Sequence, residues 1–75
     1  MDNEKQEIKK LLNELKWRGE AFNQVGGFLY SNILADEMTS ILNDLKNHDV
    51  EVSYYQHVPG RIHFNNLDEL IKKYD

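Results

Sequence analysis

Apolar positions recur along this chain at two periods, and the switch between them divides it into elements. Ile8, Leu11, Leu12 and Leu15 fall at the i, i+3, i+4, i+7 spacing that lays one stripe along an α-helix. Asn3 with Gln6 three residues on forms a capping signal, Glu4 and Glu7 suit the positive first turn, and Lys16 and Arg18 suit the far end. Glu14 and Arg18 are spaced as a favourable i, i+4 pair. Gly19 is one stopping point, but Phe22 continues the stripe and would carry the helix to Gln24, ahead of the break at Gly26-Gly27. Phe28, Leu29 and Tyr30 read either as a short strand or as the lead-in to a second helix, for which Ser31 is a good N-cap. Leu34, Met38, Ile41, Leu42 and Leu45 then repeat the stripe with Ile33 alongside, and residues 47–49 supply the exit turn.

From Val50 the period becomes two. Val50, Val52 and Tyr54 alternate with Glu51, Ser53 and Tyr55; after Pro59-Gly60, Ile62 and Phe64 alternate with Arg61 and His63. The two runs make a hairpin whose parity follows from burial. A two-residue Pro59-Gly60 turn would put Ile62 and Phe64 on the face opposite Val50, Val52 and Tyr54, splitting the core across both sides. A Pro-Gly pair also favours a type II turn, whose twist suits a tight hairpin poorly. An odd loop, or a bulge using Gly60 at positive φ, repairs both problems, and a three-residue loop over 58–60 sets Tyr54 opposite Phe64. Val50, Val52, Tyr54, Ile62 and Phe64 then face the helices. Glu51, Ser53, Tyr55, His57, Arg61 and His63 face outward. Asn66 with Glu69 makes a capping-box start for a short helix carrying Leu67, Leu70 and Ile71, with Asp68–Lys72 and Glu69–Lys73 as i, i+4 pairs. The expected architecture is α+β: one domain over residues 1–75, with two main helices, a β-hairpin and a short C-terminal helix.

Composition adds bounds. The 75 residues include no cysteine, so no disulfide staples the fold and no thiolate serves as nucleophile or metal ligand. A chain this short has a small core, which makes a homodimer a reasonable expectation. The apolar share of 40% and charged share of 29% belong to a folded protein. No apolar run is long enough to span a bilayer, and MDNEKQEIKK is charged where a signal peptide would be apolar; with no cysteine, the expected location is the cytoplasm. Heavy use of Asn and Lys suits an AT-rich source such as a low-GC bacterium or its phage.

Chemistry is sparse. His48, His57 and His63 lack cysteine companions, helical ligand spacing and an obvious third ligand beyond Glu51, so no metal or cofactor is expected. Ser31, Thr39, Ser40 and Ser53 sit in no strand-turn-helix elbow, and Gly26-Gly27 lacks phosphate-loop spacing, so the chain does not read as an enzyme. The outward residues Tyr55, His57, Arg61 and His63 are the leading contact surface, because Tyr and Arg give large contact area with a polar end. Trp17 lies beside the helical stripe, either over the core edge or as an anchor in a partner or dimer contact. The reading that results is a small interaction module that occludes or bridges a partner protein. The alternative is a winged-helix-like nucleic-acid binder, opposed by the net charge of −4 and by Asp36, Glu37 and Asp44 on the helix that would have to read the groove.

Overall fold

The computed structural model describes residues 2–25, 28–56 and 60–75. Helix α1 (Asp2–Val25), helix α2 (Phe28–Asn47), strand β1 (Tyr54–Tyr55), strand β2 (His63–Phe64) and helix α3 (Leu67–Lys73) follow in chain order, a mostly helical α+β arrangement. The 24 residues of α1, at about 1.5 Å of rise each, account for most of the molecule's 39 Å length. The helix begins at Asp2, which puts Asn3 inside the first turn and not at its cap. It also runs straight through Gly19. Ile8, Leu11, Leu12, Leu15, Gly19 and Phe22 are all buried on one face, so Gly19 is a stripe position and not a stop. Its missing side chain makes room for a ring: a Cβ there would stand 2.5 Å from Cε2 of Phe64.

Helix α2 starts at Phe28, which settles residues 28–30 as helical and places Ser31 within the first turn instead of capping it. It lies antiparallel to α1. His48 Nδ1 meets Glu4 Oε1 at 3.4 Å near one end, and Arg18 Nε meets Glu37 Oε1 at 3.4 Å toward the other. Arg18 therefore pairs between helices, while its Nη1 donates to the Glu14 carbonyl oxygen at 3.3 Å and not to that residue's carboxylate. Asp49 ends α2 with a positive φ of 61°. The Val50 N–H donates to the Leu45 carbonyl and the Asp49 N–H to that of Lys46, both at 2.9 Å, which is the Schellman pattern with aspartate where glycine is usual. Val50 and Leu45 are both buried beneath that turn.

Helix α3 runs antiparallel to α1 on its other flank, marked by Lys16–Asp68 at 3.4 Å and Lys9–Asp75 at 2.8 Å. Leu12, Leu15, Leu34 and Leu45 form the centre of the core, with Val50, Val52 and Leu67 closing it. Among the described residues, Ile8, Leu11, Leu12, Leu15 and Phe22 of α1 and Leu34, Met38, Ile41 and Leu45 of α2 are buried within one copy. Among the described residues no helix is long and apolar enough to cross a membrane.

Candidate functional site

The ribbon has the parity that burial requires. β1 and β2 pair antiparallel with Tyr54 opposite Phe64 and Tyr55 opposite His63, and Gly60 takes a φ of +79°. The ladder is shorter than the alternation suggests, with two paired residues in each strand. Asparagine side chains extend it. The Asn66 carboxamide accepts from the Ser53 N–H at 2.8 Å and donates to the Glu51 carbonyl oxygen at 3.1 Å. The Asn23 carboxamide, reaching from α1, accepts from the Ile62 N–H at 2.7 Å and donates to the Ile62 carbonyl oxygen at 3.0 Å. A carboxamide offers the same donor and acceptor as a peptide group, so each clip satisfies backbone that no neighbouring strand reaches. Asn65 adds its own N–H to the Ser53 carbonyl at 2.8 Å. Committed to the ribbon in this way, Asn66 makes no side-chain cap bond to α3, and the capping-box expectation fails for that reason.

On the inner face Val50 and Val52 are buried, and Ile62 and Phe64 are half-buried against the core. Tyr54 departs from expectation. It shares a face with Phe64, their ring centroids 6.3 Å apart, yet it remains 49% exposed. It lines a cleft beside α2 together with Leu42, Asn43 and Lys46.

On the outer face Tyr55 is 47% exposed and its ring stands 5.1 Å from that of His63, tilted by 50°. Arg61 and His63 are exposed on the same strip, with Arg61 Nη1 donating to the Gly60 carbonyl at 3.2 Å. His57, the fourth residue expected here, lies outside the described residues. Trp17 is not at the core edge. It falls two residues after Leu15 and two before Gly19, about 200° round the helix from the buried stripe. Lys10, Asn13, Trp17, Glu20 and Gln24 are accordingly all exposed. The indole is 55% exposed, with the Arg18 guanidinium 5.0 Å from its ring centroid. The fold thus pairs Tyr55 with His63 across the ribbon, leaves Arg61 exposed two residues before His63, and leaves Trp17 exposed on α1.

Three of the five cations of α1 are engaged in ion pairs. Lys9, Lys16 and Arg18 each meet a carboxylate from another part of the chain. The hydrogen bond from Lys9, followed by its charge, holds the Asp75 carboxyl below the usual aspartate range; slight desolvation opposes this and Lys5 adds to it. Among the described residues no group of three His, Asp or Glu side chains is assembled to hold a metal ion. Sequence reasoning overlooked Asn23 and the exposed Tyr54. The readable signal for Asn23 was a poor helix former placed on the flank of the stripe within α1. No family model, curated protein or solved structure matches this chain.

Proposed function

We propose that this chain is a small cytoplasmic binding module that acts sterically, occluding or bridging a partner protein through Tyr55, Arg61 and His63 on the outer face of the ribbon, with His57 assigned there by the alternation alone and Trp17 as a second, separate anchor. The supporting observation is the cross-strand pair of Tyr55 and His63 rings, half in water, beside an exposed guanidinium. Aromatic and arginine side chains held on a strip whose backbone is already pinned lose little further freedom on docking, which is the condition for an anchor residue. Nucleic acid suits the surface less well, because three of the cations on α1 are neutralised within the fold and Asp36, Glu37 and Asp44 are exposed along α2.

The test is site-directed photocrosslinking in the source cells, with the photoreactive residue at position 55, at position 17, and at Lys72 as an exposed control. Expected are protein adducts at 55 or 17 that Arg61→Ala or Trp17→Ala, respectively, removes. Nucleic-acid adducts, or equal labelling from position 72, would overturn the proposal.

A further inference from the structure

In an antiparallel pair, the backbone groups of alternate residues point toward the partner strand. Asn65 and Asn66 both bond Ser53, so Ser53 and Tyr55 point toward β2, and the N–H and C=O groups of Val52 and Tyr54 point the other way. Among the described residues neither Val52 nor Tyr54 has a hydrogen-bond partner for these groups. That edge is recessed. Val52 is only 7% exposed, and it lies in a cleft of 210 Å³ between α2 and the 50–54 segment. Leu42 and Val50 give the cleft an apolar floor; Asn43 and Lys46 on one side and Glu51 on the other give it polar walls. Val52 is buried while Tyr54 stays half in solvent, and a strand edge whose N–H and C=O groups pair with no other strand is a ready template for an added one.

Resting on the binding-module reading, we infer that this cleft receives an extended peptide segment of a partner protein, which adds to the outer edge of β1 as a third strand. The unmet groups recur at every second residue, about 6.8 Å apart, a spacing that an extended polypeptide backbone reproduces. A second copy of this chain fits less well: its own edge is recessed beside its own α2, so the two helices would meet before the edges did. Lys46 and Glu51 on opposite walls suit a segment carrying both signs of charge at its rims. Leu42, Val50 and Val52 beneath suit a small apolar residue pointing down between them.

The probe is a phage-displayed library of random dodecapeptides selected on the intact protein, followed by synthesis of the enriched peptides. Expected is slowing of Val52 and Tyr54 amide exchange by at least about tenfold on binding, with Ser53 and Ile62 little changed. N-methylating alternate peptide residues should abolish binding in one parity and spare it in the other. Asn43→Trp, which fills the wall from an exposed position, should weaken binding at least about tenfold without lowering the melting temperature, whereas Trp17→Ala should not weaken it. Failure to enrich any peptide overturns the inference. So do binders that leave the Val52 and Tyr54 amides unchanged, and so does equal protection in concentrated protein alone, which would make a second copy the occupant. Binders seated on Tyr55, Arg61 and His63 overturn it while leaving the binding-module reading intact. Absence of partner adducts in the crosslinking experiment removes that reading whatever the peptides do.

Discussion

Gly19 is where helix and ribbon meet, and its substitution reverses a general rule. Alanine for glycine inside a helix is ordinarily favourable by about 0.5–1 kcal/mol. Here the new methyl would press on the Phe64 ring at 2.5 Å, and that ring is packed against the core. Gly19→Ala is expected to destabilise by about 1–2 kcal/mol in urea unfolding, and to become neutral or favourable in a Phe64→Leu background that vacates the space. Asn23→Ala removes both bonds to Ile62 at once, with an expected cost of about 1–3 kcal/mol and accelerated exchange of the Ile62 amide. Asp75 offers a check in acid. Its carboxyl is held low chiefly by the Lys9 hydrogen bond, so the contact contributes above the ordinary aspartate range and is lost as pH falls through the depressed value. In Lys9→Ala, NMR titration should find Asp75 moved upward toward that range.

At the scale of elements, the end of α2 contains a correctable strain. Asp49 occupies the left-handed region at φ 61° inside a Schellman turn, where glycine has no steric cost. Asp49→Gly should raise stability by about 0.5–1 kcal/mol, the side-chain strain removed exceeding the entropy added to the unfolded chain. The helical stripes and the parity of the hairpin were legible in the sequence, because each follows from the need to bury one face. Element ends were not. Gly19 reads as a terminator until the Phe64 ring, 45 residues further along the chain, is seen to occupy its gap. Asn66 reads as a cap until Glu51 and Ser53 are seen to take its carboxamide. In both cases a distant partner outweighed a local preference. The outward set was readable in part: alternation identified Tyr55, Arg61 and His63, but it also assigned Tyr54 inward, since it cannot report that α2 offers polar side chains at that level.

For the molecule as a whole, three helices serve as a frame from which a short ribbon is held by side-chain amides. Asn65 and Asn66 join the two strands beyond their short ladder, Asn23 ties the second strand to α1, and the outer edge of β1 lines the cleft beside α2. A two-stranded ribbon alone is marginal in water, so the clips account for its persistence. Once a partner is isolated, Tyr55→Ala should weaken the complex by at least about tenfold, while raising salt from low to physiological strength changes affinity little. A steep loss with salt would instead indicate a surface working on phosphate.

Native-state amide hydrogen exchange across residues 50–64 tests the central claim most directly, since it reports each backbone group separately. Expected are slow Ser53 and Ile62 amides, released individually by Asn66→Ala and Asn23→Ala, beside fast Val52 and Tyr54 amides in the unliganded protein. Val52 and Tyr54 protected as strongly as Ser53, or Ser53 and Ile62 indifferent to loss of their asparagines, would contradict the account.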